Sequence, residues 1–73
     1  MIPDEAILEA IRWHIGENGY SPSVRELGAA LGITSPSAVK YRLDRLKEKG
    51  LVTFDNHKPR TLRLTEKGEK SCN

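Results

Sequence analysis

A chain of 73 residues with 37% hydrophobic and 30% charged residues is sized for one thin core, because a domain near this length buries only about 60% of its unfolded surface. A single domain spanning 1–73 is therefore expected, with no room for a walled catalytic cleft and no apolar run near the length of a bilayer span. The formal charge of +2 hides a split: two cations face five carboxylates over residues 1–33 (net −3), and ten face five over residues 34–73 (net +5). That asymmetry fits a back half that meets a polyanion, or simply a solvated surface.

In chain order, Asp4 follows Pro3 as the expected cap of a first helix, and Ile7, Leu8, Ile11 and Ile15 recur at three-to-four-residue spacing until Gly19 in "ENG". Ser23 and Glu26 stand at the spacing of a capping box. Val24, Leu27 and Leu31 then give a short second helix its apolar stripe, and Gly28, Ala29 and Ala30 are small enough to let another helix cross closely. The turn "GIT" follows, with Ile33 as its plug. A third helix opens at Ser35 as N-cap, with Pro36 in the first helical position where its missing N–H costs nothing, and closes at Gly50 after a lysine-rich last turn. "LVTF" and "TLRL" read as two strands around the turn-forming, partly basic loop "DNHKPR". The polar residues 65–73 are expected to fray. Helix, helix, tight turn, helix and antiparallel hairpin make a mainly α (α+β) winged helix-turn-helix.

The third helix carries the chemistry. At about 100° per residue, Val39, Leu43 and Leu46 share the inward stripe, and Ser37 and Tyr41 lie opposite it, with Lys40 and Ala38 on the flanks. In a docked helix-turn-helix the N-terminal residues of this helix meet base edges in the major groove. Ser35 and Ser37 are short enough to let the helix end and its free N–H groups approach the duplex. Lys40 suits a guanine edge or a phosphate, Tyr41 a phosphate or thymine methyl, and Ala38 a thymine methyl. Ser23, Arg25, Arg42, Arg45 and Lys47 form a candidate rim for the DNA backbone, with Arg42 and Arg45 equally suited to pairing with acids of the first helix. His57, Lys58 and Arg60 in the hairpin loop would touch backbone or minor groove. The plainer alternatives are a helix cap for Ser-Pro-Ser, a Tyr41 ring resting on a neighbouring loop, and a solvated turn at 55–60.

Other chemistries find little support. Cys72 has no partner cysteine and its place near the end suggests an exposed, incidental thiol; neither His14 nor His57 stands in a ligand-spaced set. No enzyme activity, metal, cofactor, small-molecule ligand or membrane association is expected. The start "MIPDEAILEA" has no basic stretch leading into an apolar run, so a cytoplasmic, nucleoid-associated location is expected.

The stretch "YSPSVRELGAALGITSPSAVKYRLDRLKEKGLV", with the later "PRTLRL", resembles the N-terminal DNA-binding domain of LexA-type repressors over roughly residues 5–64. The shared marks are the proline-containing entry, the "LG" before the turn and the "SP" opening the third helix. The resemblance implies binding of double-stranded operator DNA, with Ser35, Ser37, Ala38, Lys40 and Tyr41 at the positions that match the family's base-facing ones. Lys40 and Tyr41 replace the acidic pair of the family's best-known members, which leaves the operator open. Such repressors continue into a serine–lysine protease domain that mediates self-cleavage and dimerisation. The residues here end at Asn73, as in an excised domain or a small free-standing regulator, and self-cleavage is not carried over. A repressor is expected, and because a single small module binds with limited specificity, two copies on a two-fold-symmetric site are expected as well. The alternative is a winged helix used for protein interaction, contacting a repressor or replication complex through the outward face of the third helix or through Trp13.

Overall fold

The computed structural model describes residues 2–71, with Cys72 outside the described residues. Helix α1 runs Asp4–Asn18, α2 Val24–Leu31 and α3 Pro36–Glu48, followed by strands β1 (Val52–Thr53) and β2 (Arg63–Leu64) and a short helix α4 (Glu66–Ser71). The expected winged helix-turn-helix is what forms. The buried core joins Ile7, Leu8 and Ile11 of α1, Leu27 of α2, and Val39, Leu43 and Leu46 of α3 to Leu51, Val52 and Leu62 at the base of the hairpin.

Local chemistry sets the helix ends. The Ser23 hydroxyl accepts from the Glu26 amide while the Glu26 carboxylate accepts from the Ser23 amide, completing the capping box of α2. Ser35 caps α3 by accepting from the Ala38 amide at 3.3 Å. At the entry to α1 the expectation is corrected. Pro3 is the N-cap and makes no side-chain cap bond; Asp4 lies inside the helix and its carboxylate crosses to α3, 3.1 Å from Arg42 Nη2 and 2.6 Å from Lys49 Nζ. Two cations on a neighbouring helix hold that carboxylate more firmly than its own backbone N–H groups could.

The turn between α2 and α3 depends on Gly28. A Cβ there would lie 2.9 Å from the Ile33 carbonyl oxygen and 3.1 Å from Val39 Cγ2, so the absent side chain is what allows α3 to cross so closely. Of the three small residues, this one alone is buried; Ala29 and Ala30 face solvent.

The strands are shorter than expected. Pairing is antiparallel with Val52 opposite Leu64 and Thr53 opposite Arg63, and there it stops. Beyond it, the Phe54 carbonyl accepts from Lys47 Nζ at 2.9 Å and the Asp55 amide donates to Thr61 Oγ1 at 2.8 Å. Side chains have taken the groups that would have extended the ladder.

The frayed end predicted for 65–73 is corrected over 65–71. Thr65 Oγ1 accepts from the Gly68 amide at 3.0 Å and its hydroxyl donates to the Gly50 carbonyl at 2.6 Å, anchoring the first turn of α4. Gly68 is buried so tightly that a Cβ would lie 2.0 Å from the Leu51 carbonyl oxygen. On α4, Glu69 also faces Arg12 of α1 at 3.6 Å.

Candidate nucleic-acid interface

The inward stripe of α3 fixes which of its residues are left outside. With Val39, Leu43 and Leu46 buried, Ser35, Ser37, Ala38 and Tyr41 are exposed, and Tyr41 keeps 59% of its surface open to solvent. Ser35 uses an oxygen lone pair as a cap, which leaves its hydroxyl hydrogen for an outside acceptor. Pro36 has no N–H and the Ala38 and Val39 amides are bonded to Ser35, so among the first-turn amides of α3 the Ser37 N–H is the one left to face an anion at this end.

Lys40 is half-buried and already engaged. Its Nζ lies 3.3 Å from Asp44 Oδ1, one turn on, and 5.5 Å from the centre of the Phe54 ring. Asp44 is an exposed acid on α3, and the pairing offsets it with a neighbouring ammonium. Arg45 donates to the Tyr41 hydroxyl at 3.3 Å and Lys47 lies 4.5 Å from the centre of the Phe54 ring. Both partners are neutral, so both cations keep their charge for an outside anion.

Two residues expected at the DNA backbone are engaged within the fold, Arg42 in the pairing with the first helix that the sequence also allowed. Arg42 is largely buried and binds Asp4 together with the Ile2 carbonyl, so its guanidinium ties α3 to the start of α1. Arg60 turns away from the tip of the hairpin: it donates to Glu26 Oε1 at 2.8 Å and to the Ser21 carbonyl at 3.1 Å, and its guanidinium lies 4.9 Å from the centre of the Tyr20 ring. The Arg60 hydrogen bond first, then the Ser23 amide, pull the Glu26 carboxyl down to about 2. The hydrogen bond from Lys49, opposed by burial and joined by Arg42, lowers that of Asp4. The Ser23 hydroxyl serves the cap of α2 and is half-buried.

Arg25, His57 and Lys58 stay exposed, and among the described residues the side chains of Arg25 and Lys58 have no hydrogen-bond or ion-pair partner. Arg63 on β2 shares that condition, and sequence reasoning missed it; a cation at the outward position of a two-residue strand carries no pattern to find it by. Between α3 and the hairpin lies a cleft of about 380 Å³, whose walls include Val24, Lys40, Leu43, Phe54 and Leu62.

The sequence pattern of the LexA DNA binding domain matches residues 4–61 of this chain. The chain belongs to that family. Its relatives include LexA repressors from Brevibacillus brevis, 48% identical over 60 residues, and Oenococcus oeni, 47% identical over 62 residues, which cover 82% and 85% of this chain. The LexA repressor of Bifidobacterium longum is 45% identical over 58 residues, 80% of this chain. These matches cover 29%, 29% and 24% of the respective repressors, so the chain spans about a quarter of the length of its curated relatives. The LexA match takes in α1, α2, α3, β1 and the hairpin loop, and ends short of β2 and α4. Every candidate base-facing residue, from Ser35 to Tyr41, falls inside it.

Proposed function

We propose that this chain is a sequence-specific, double-stranded-DNA-binding module of a transcriptional repressor, acting in the cytoplasm as two copies on a two-fold-symmetric site. The first two turns of α3 enter the major groove, where Ser35, Ser37, Ala38, Lys40 and Tyr41 meet base edges. Arg25, Arg45 and Lys47, with Ser23 beside them, flank the sugar–phosphate backbone. The hairpin loop brings His57 and Lys58 to backbone or minor groove. Membership of the LexA DNA-binding family supports this reading. The observation that carries it is the exposed, short-side-chain N-terminal end of α3, set beside cations whose charge is not cancelled within the fold.

Fluorescence anisotropy of the chain on duplexes recovered by selection, against scrambled duplexes of equal length, tests it. Specific binding requires tighter association with the selected set, whereas equal and weak binding to both removes the sequence-specific role. A second reading, a module for protein contact, is favoured by Trp13. It is 66% exposed on α1 beside Ala6, Ala10 and Gly16, well away from α3 in sequence. Equal and weak binding of the parent to both duplex sets would favour that reading; under the DNA-binding reading Trp13→Ala is expected to leave duplex binding unchanged.

A further inference from the structure

The hairpin loop is poorly anchored by packing: every residue from Asp55 to Arg60 is exposed, and the cleft of about 380 Å³ separates the loop from α3. Its own closure is local. Thr61 Oγ1 bridges the Asp55 and Lys58 carbonyls, and the Asp55 carboxylate accepts from the His57 amide. Among the described residues, one loop side chain reaches outside the hairpin, and that is Arg60.

Its reach is elaborate for an exposed residue. The guanidinium engages both Glu26 oxygens, at 2.8 and 3.4 Å, donates to the Ser21 carbonyl and lies against Tyr20. Glu26 is in turn fixed by the Ser23 amide at 2.9 Å, and the Tyr20 carbonyl accepts from His14 Nδ1 at 3.1 Å. Arg60 holds a left-handed backbone, φ 57°, which a side-chain-bearing residue adopts only where its surroundings fix it.

We infer that Arg60 and Glu26 are positioning residues: their clasp sets the hairpin loop against the start of α2, so that Lys58 meets the duplex in register with α3. Arg60 thus acts on DNA binding through Lys58 and makes no phosphate contact of its own. The inference rests on the DNA-binding reading above. A planar fork that binds two carboxylate oxygens, a carbonyl and a ring face cannot be replaced by an ammonium, whereas a phosphate contact made by charge alone can.

The chain, with Arg60→Lys, Glu26→Gln and Lys58→Ala singly and with each clasp variant combined with Lys58→Ala, is titrated with a selected duplex. Amide exchange at His57 and Lys58 is followed in the free protein. Glu26→Gln keeps an acceptor for the Ser23 amide, so it preserves the helix cap and provides a second route should an Arg60 variant misfold, with circular dichroism as the check on folding. In the parent, Lys58→Ala is expected to weaken binding about fivefold, and in either clasp variant less than twofold, the non-additivity of coupled residues. Exchange at His57 and Lys58 should quicken in both clasp variants. Arg60→Lys binding like the parent, or Lys58→Ala having the same effect in every background, overturns the inference, as does unchanged amide exchange. A parent that binds no duplex overturns the DNA-binding reading itself, and that result is visible before any variant is compared.

Discussion

The two halves of α3 are built to different rules. From Ser35 to Tyr41 the outward side chains make bonds within one turn of themselves, as Ser35 does to Ala38 and Lys40 to Asp44. From Arg42 to Lys49 the helix is tied to distant segments: Arg42 and Lys49 to Asp4 of α1, and Lys47 to the Phe54 carbonyl beyond β1. Residue type does not separate the halves, since each holds lysine or arginine on its surface. What separates them is whether a remote acceptor lies within reach, and the half without one is the half that holds the candidate base-facing residues.

The contrast can be broken most severely at the anchored half. Leu46 is fully buried, so Leu46→Ala should cost about 2–5 kcal/mol, read as a lower midpoint in urea and a loss of all duplex binding at temperatures where the variant unfolds. Arg42→Ala leaves Asp4 short of one partner and should lower stability by about 1.5–3 kcal/mol. It should leave the ratio of selected to scrambled binding unchanged, because its work is done inside the fold. Lys40→Ala sharpens the comparison from the other side. If it reads a base, the variant stays as stable as the parent while losing about 1–3 kcal/mol of preference for one base pair; an equal loss on all duplexes would mark Lys40 as a phosphate contact. Ser35→Ala removes the cap of α3 and should cost about 1 kcal/mol of stability.

The smallest effect is set by acid. Glu26 titrates at about 2 in the fold against an ordinary value of 4.5. Its contribution to stability is therefore present above 4.5 and disappears as pH falls toward 2. Asp4, whose carboxyl is also lowered, loses its contribution in the same direction, below its ordinary value of 3.8. Thermal melts between pH 5 and pH 2 should fall less steeply for Glu26→Gln than for the parent, and a parallel fall would show that Arg60 does not hold the carboxylate in solution.

Much of this was legible in the sequence because it is written locally. The capping box at Ser23, the Ser35–Pro36 start and the spacing of Val39, Leu43 and Leu46 each act within one or two turns, and each formed as read. The partners of Asp4 and Arg60 lie 38 and 34 residues away or more, and no periodicity encodes them. The helix α4 escaped for a related reason. "TEKGEK" looks like a polar tail until the Leu51 carbonyl is brought over Gly68 by the rest of the fold, at which point a missing side chain becomes the condition for packing. The hairpin was found, but its length was set by side chains competing for backbone groups.

The pairing of Lys40 with Asp44 carries a consequence for counterions. A lysine that meets a phosphate normally displaces a condensed cation from the duplex, and the number of such displacements sets how steeply affinity falls with salt. Lys40 brings its own carboxylate one turn away, so its arrival exchanges one anionic neighbour for another and adds little net charge at the interface. The salt dependence of binding should therefore count fewer ions than there are basic side chains at the duplex, and Asp44→Asn should raise that count by about one.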